Sequence, residues 1–361
     1  MANENITQLI TDEAIIATMD GYLSTQVFDQ VALQWGVGRM MMDNPYNVKR
    51  NGGRRIKIAL RTGKTDGLVA FGDNSTVDPQ RKPVLQWAFA TFKQCLANVR
   101  ISWVEERQNT GPDAIISILK SRVDATIQDA REDFRTMIWG DGTGGGGLNM
   151  MGITGLIPND PRTGTIMGYD RSLAASGFWK PWYWDGATYG PLPTDTVGGA
   201  PSGVGAFGAI NAGTGRGIPT ALRILVTGWN STQEGENAGD CFWLSDQQTY
   251  QYYAVDWPVY GSKVEIAVDD KVIKWGYGGA TLMGAPWIYD TTVNGAPGGE
   301  IRLINKRYLH MVIDSGAWWI WSDWKEPFNQ PSRAKFMFVR GQLICKNFRK
   351  QAVYPTVTAW A

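Results

Sequence analysis

The chain's 361 residues suffice for two or three domains and a sizeable core. Hydrophobic residues at 43%, aromatics at 12% and charged residues at only 19% exclude a mostly disordered chain. With 35 basic against 34 acidic side chains the net charge is +1, which argues against a protein that grips phosphate through bulk positive charge. The 43 glycines and 17 tryptophans point to a β-rich chain with long loops, part of whose surface is covered by other protein. The three cysteines, Cys95, Cys241 and Cys345, form neither a disulfide framework nor a Cys-x-x-Cys half-site, so a reducing compartment is expected. The opening residues have no charged stretch ahead of an apolar one, and no apolar run approaches the ~18–20 residues that span a bilayer. A soluble cytoplasmic product is expected, with the sequons at Asn5, Asn74 and Asn230 as chance matches.

In chain order, the first fifty residues read as an arm with short helices around Ile15–Met19 and Val27–Trp35, ending in Met40-Met41-Met42. Those methionines suit either core filling or contact with a neighbouring chain. From Lys49 to Lys64 there are seven basic residues and no acidic one: Lys49, Arg50, Arg54, Arg55, Lys57, Arg61 and Lys64. Ile56, Ile58 and Leu60 alternate with them as one face of a strand, and Leu85, Trp87, Phe89 and Thr91 resume a period of two after a Gly-rich excursion. The pair reads as a projecting hairpin, either a solvated edge or a basic arm lying on an acidic neighbour.

Residues 113–139 carry an apolar stripe at Ile116, Leu119, Val123, Ile127, Ala130, Phe134 and Met137, with Pro112 before and Gly140 after, the start and stop of a long helix. Asp124, Asp129, Glu132 and Asp133 interleave with arginines on its outer faces, most of them as a solvated surface. Gly140-Asp141-Gly142-Thr143 follows, then a Gly/Pro-rich stretch with an aromatic island at Phe178–Trp184. A helix is expected over 219–229 and another from Ser245. Strands are expected at 241–245, 263–267, 271–275, 281–289 and 301–304, and a tail of strands at 307–313, 317–324, 334–340 and 342–347.

Catalytic chemistry is sparse. His310 is the only histidine and sits in an apolar strand pattern, which reads as a satisfied structural residue. It excludes His-rich zinc sites and leaves a Ser-His-Asp triad without support. The Gly203–Gly208 match to a dinucleotide fingerprint has no preceding strand, and the glycines at 144–147 lack a P-loop lysine. Trp318, Trp319, Trp321 and Trp324 with Asp323 offer a carbohydrate platform, but Trp-rich strands are more often core or interface. No catalytic, cofactor or metal residue is assigned.

The order of elements resembles the major capsid proteins of tailed bacteriophages, the Hong Kong 97-type α+β fold. The likeness rests on Leu96–Ser102 leading to the long helix, Ile138-Trp139-Gly140-Asp141-Gly142-Thr143, Gly168–Ser172 with Phe178-Trp179-Lys180, Leu303–Leu309, and Gly341–Gln351. That resemblance implies an N-terminal arm at 1–48 and an extended β-hairpin loop at 49–97. It implies a peripheral domain at 98–199 holding spine helix 113–139, an axial domain at 200–310, and long C-terminal strands at 311–361. It further implies self-assembly into pentamers and hexamers of an icosahedral virion shell built in the host cytoplasm. The shell would enclose double-stranded DNA without sequence-specific contacts, with scaffolding and portal proteins as partners, scaffolding as a separate protein, and no membrane or cofactor. Interface candidates are Arg54, Arg55, Lys57 and Arg61 on the loop and Asp129, Glu132 and Asp133 on the helix.

Some relatives join a loop lysine to a neighbour's asparagine beside a glutamate. Lys57 or Lys64 and Asn347 fit the first two roles, yet no glutamate follows Glu326, so no such cross-link is expected. Two other readings stand beside the capsid: a nanocompartment shell of the same fold, and a Trp-rich carbohydrate-active β-protein.

Overall fold

The computed structural model describes residues 36–63, 84–108, 118–183, 217–251, 265–266, 280–290, 300–327 and 330–354. The helices expected before Trp35, the first turn of the long helix, the Gly203–Gly208 stretch, the strand at 271–275 and Lys64 lie outside them. Helix α1 (Gly36–Met42) buries Val37, Met40 and Met41, so the methionine run fills the chain's own core. Strand β1 (Val48–Arg50) is followed by β2 (Arg55–Arg61) and β3 (Leu85–Thr91), which pair antiparallel from Arg55↔Thr91 to Arg61↔Leu85. Along β2 the expected alternation holds, with Ile56, Ile58 and Leu60 buried. On β3 the larger apolar residues Leu85, Trp87 and Phe89 face outward, while Ala88 and Ala90 are buried opposite Ile58 and Ile56.

Strand β4 (Lys93–Ser102) runs into helix α2 (Trp103–Gln108) through a capping box. The Val104 N–H donates to Ser102 Oγ at 3.2 Å, and the Ser102 N–H donates to Glu105 at 2.9 Å. Helix α3 (Ile118–Trp139) follows, its last turns burying Phe134, Ile138 and Trp139. At its end the chain doubles back so closely that a Cβ on Gly152 would lie 2.2 Å from the Ile138 carbonyl; only glycine fits there.

Strands β5 (Thr165–Ile166) and β6 (Tyr169–Asp170) form a small hairpin, and β7 (Trp182–Tyr183) precedes helix α4 (Gly217–Gln233). Strand β8 (Cys241–Ser245), helix α5 (Gln247–Gln251) and strands β9 (Glu265–Ile266), β10 (Ala280–Leu282), β11 (Ala285–Tyr289) and β12 (Ile301–Asn305) come next. The tail forms β13 (Leu309–Trp321), β14 (Ser332–Cys345) and β15 (Ala352–Tyr354). The 281–289 run is thus a hairpin, and the four expected tail strands at 307–347 are two.

One sheet has the order β1-β13-β14-β4, and a seven-stranded sheet has the order β7-β15-β12-β8-β11-β10-β9. Helix α3 covers one face of the four-stranded sheet, with Phe134 edge-on to Trp318 and Trp319 at 5.7 and 5.6 Å. The seven-stranded sheet has its own core beside α4, where Trp243 stacks between Trp229 and Trp287 at 6.0 and 5.9 Å.

Buried arginines join the two parts. Arg135 of α3 donates to Asp290 beyond β11 at 2.5 Å, both side chains being under 5% exposed. Arg302 of β12 donates to the Ile157 carbonyl at 3.2 Å and to Asn159 at 2.7 Å, pairs with Glu300 at 3.2 Å, and lies over the Trp139 ring.

Candidate assembly surfaces

The outward face of the β2–β3 hairpin carries Arg55, Lys57, Ala59 and Arg61 on one strand and Thr91, Phe89, Trp87 and Leu85 opposite them. Leu85, Trp87 and Phe89 are 65%, 48% and 44% exposed. The Lys57 ammonium sits 3.8 Å above the Trp87 ring, and the Arg61 guanidinium bonds the Gly63 carbonyl at 3.3 Å. Arg54 is exposed at the hairpin's entry. Among the described residues none of these four cations pairs with a carboxylate. Large apolar side chains turned outward beside cations are what an interface presents before its partner arrives. Sequence reading found the basic half of this face. It missed that the apolar period of β3 marks the outer side, because a period of two does not say which face is buried.

Asp129 and Asp133 stand one turn apart on the exposed side of α3, whereas Glu132 is half-buried and pairs with Arg135 at 3.4 Å, so it serves its own chain. Asp133 borders a small groove of about 50 Å³ between α3 and β4, floored by Phe134, Met137, Trp319 and Val339. Within it the Cys95 thiol is pushed upward in pKa by burial and then by the Asp133 charge. Among the described contacts none joins the hairpin cations to these acids within the subunit.

The hairpin's base is tied to the four-stranded sheet by Asp314. Its carboxylate accepts from the Gly52 N–H at 3.1 Å, the Gly316 N–H at 3.2 Å and Arg340 at 2.5 Å, while Arg340 also reaches the Gly53 carbonyl at 2.6 Å. The Gly52 hydrogen bond first, then the Gly316 N–H and Arg340, hold this carboxyl below its usual range against the opposing effect of burial.

His310 differs from expectation. It is buried, but neither ring nitrogen makes a hydrogen bond of ordinary geometry. Burial first, and the Lys346 charge second, push its pKa down to about 4, partly offset by the Arg307 backbone. Cys241 and Cys345 are buried thiols pushed up to about 12, chiefly by desolvation. Trp321 and Trp324 flank the Lys335 ammonium at 5.5 and 5.9 Å, and nearby Glu326 pairs with Arg333, so the tryptophans pack around a cation and not over a carboxylate cleft. Asn347 caps a short turn by accepting the Arg349 N–H at 3.1 Å. Among the described residues no helix is long and apolar enough to cross a membrane.

No protein-family model and no curated protein sequence matches the chain. Solved structures do. A capsid subunit of Cyanophage A-1(L) is 13% identical with a TM-score of 0.60, covering 96% of this chain and 99% of its own. The capsid of a native GTA particle is 11% identical at 0.56, covering 93% and 94%. The SrpI encapsulin of Synechococcus elongatus PCC 7942 is 12% identical at 0.51, covering 96% of each. The fold expected from the sequence resemblance is therefore the one observed: that of capsid and encapsulin shell subunits.

Proposed function

We propose that this chain is the major capsid protein of a tailed phage, a structural subunit without catalytic function that closes into an icosahedral shell around double-stranded DNA. The observation that carries this reading is the hairpin face, where Leu85, Trp87 and Phe89 stand exposed among Arg55, Lys57 and Arg61 on a fold shared with shell subunits. In this reading residues 1–48 are the arm, 49–97 the extended loop, 98–199 the peripheral domain, 200–310 the axial domain and 311–361 the returning strands. Scaffolding and portal proteins assist assembly in the host cytoplasm.

The hairpin docks on a neighbour where Asp133 borders the apolar groove beside α3 and Asp129 stands exposed one turn away, joining cations to acids and aromatics to an apolar floor. Electron microscopy of the purified protein tests the reading, with closed megadalton shells expected. A chain that stays monomeric and folded across salt and concentration would overturn it. A nanocompartment shell is the second reading, favoured by the encapsulin likeness, and particles that hold protein cargo instead of DNA would select it.

The shell holds without covalent staples. Folding brings Glu236 near this end of the chain, where one of its oxygens accepts from Tyr308 at 2.9 Å and pairs with Lys350 at 3.2 Å, so its lysine partner is already one of its own subunit. Boiled particles are expected to run as single 39.9 kDa chains. A ladder on a denaturing gel would reject this.

A further inference from the structure

Among the described strands β4 is an edge of the four-stranded sheet, and the hydrogen bonds at its end show which of its groups are open. The Trp103 N–H bonds the Pro331 carbonyl on the β14 side, while the Ser102 N–H turns the other way to Glu105 and the Arg100 carbonyl accepts from Arg122 at 3.4 Å. On β14, Ala334 and Phe336 bond toward the β13 side, leaving the odd-numbered residues to face β4. In an antiparallel pair a residue's N–H and C=O point the same way, so the even-numbered residues of β4 face outward from the sheet. At the α2 end the Glu105–Arg122 pair covers this edge. From Gln94 through Leu96 to Asn98, no described group satisfies the outward N–H and C=O groups.

That open stretch carries no guard. Residues 94–99 contain no charge, Leu96 is 56% exposed, and it continues a cross-strand row with Phe338 and Ile320, which are 39% and 41% exposed. Strand β2 of the hairpin, also at an edge, contrasts with it: paired with its own copy about Ile58, it would set Arg55 against Arg61 of the second chain. Lysines and arginines on an edge are a common protection against such pairing. The β2 edge is protected by charge and the β4 edge is not.

We infer that β4 pairs antiparallel with β4 of a second copy of this chain across a two-fold axis centred on Leu96. In that register Gln94 faces the second copy's Asn98, Leu96 faces its own counterpart, and all three open residues exchange hydrogen bonds. Lys93 falls opposite Val99 and Arg100 opposite Phe92, so no like charges meet. The row from Ile320 through Phe338 to Leu96 then runs unbroken into the second subunit. The contact is self-complementary, as a two-fold interface must be. It rests on the shell reading only for the supply of two-fold axes.

Disulfide trapping tests it in the full-length protein. Facing Cα atoms in a hydrogen-bonded antiparallel pair lie about 5.5 Å apart, within disulfide reach. Under mild oxidation Leu96→Cys should give a dimer band that reductant removes, seen in the majority of chains. Asn98→Cys alone, about four residues from its counterpart, should stay monomeric, and Gln94→Cys with Asn98→Cys together should restore the dimer. Wild type controls for Cys95, which faces α3. Particles that form normally while Leu96→Cys stays monomeric would overturn the contact and leave the shell reading standing. Dimers without particles would do the reverse. Equal trapping by Asn98→Cys would overturn the register and the edge pairing with it.

Discussion

Arginine is used in opposite ways in two regions. At the junction of α3 with the seven-stranded sheet, Arg135 and Arg302 are buried and each meets a carboxylate. On the hairpin, Arg54, Arg55 and Arg61 stand in solvent with no described carboxylate partner. The difference is one of satisfaction. A buried guanidinium must find its partners inside the subunit, because desolvation is otherwise too costly. An exposed one is solvated and can wait for another chain. The junction contacts therefore tie α3 to the seven-stranded sheet, and the hairpin cations keep their charge in solvent.

Breaking the junction should have the largest effect. Asp290→Ala leaves Arg135 buried without its main partner and should lower stability by roughly 3–5 kcal/mol in chemical denaturation. Replacing both residues by apolar ones of similar volume should recover most of that loss. If Asp290→Ala were nearly silent, the pair would not be the link described. Next comes His310, which is held neutral in the folded chain. Its folded pKa of about 4 lies below the unfolded value, so the stability it contributes is present above about pH 6.5 and is lost as pH falls toward 4. The loss should approach roughly 3 kcal/mol and be absent from His310→Leu, measured as unfolding free energy across that window.

The hairpin's tether should have a smaller effect. Asp314→Ala removes an acceptor shared by two backbone N–H groups and Arg340, and should cost about 1.5–3 kcal/mol at neutral pH. Because the folded Asp314 pKa is lowered, its contribution is present above about pH 4. The gap between wild type and variant should therefore close as pH falls through the folded pKa. The smallest stability change belongs to the hairpin's exposed cations. Arg54→Glu with Arg55→Glu should shift unfolding by under about 0.5 kcal/mol yet abolish particle formation. Normal particles from that double variant would remove the hairpin from assembly and end the contrast between the two regions.

Much of the fold was legible in the sequence. The long helix follows its stripe to Trp139, the hairpin strands follow their period, and β8 and α4 fall where expected. The tail was cut into too many strands because β13 bulges between Ile313 and Ile320, with Trp319 in a left-handed conformation, so its alternation slips midway. Gly341 looked like a strand break. It lies within β14, where a Cβ would come 3.0 Å from the Trp318 ring, so close packing and not chain reversal favours glycine there.

Of the seven residues named as interface candidates, six are exposed, and Glu132 is half-buried because it pairs with Arg135. Nothing local marks the Arg135–Asp290 pair, whose members are 155 residues apart. Nor does any local pattern mark the open edge of β4, which is a property of sheet order.

Helix α3 also has a mechanical meaning. Its 22 residues make a strut about 33 Å long. Near its C-terminal end it is fastened twice to the seven-stranded sheet, through Arg135 and through Trp139 beneath Arg302. The two fastenings lie one helical turn apart, so they lock that end of α3 to the seven-stranded sheet while the helix also packs on β4. The two sheets are thus linked by a charged and an aromatic contact on one helix and not by a loop alone.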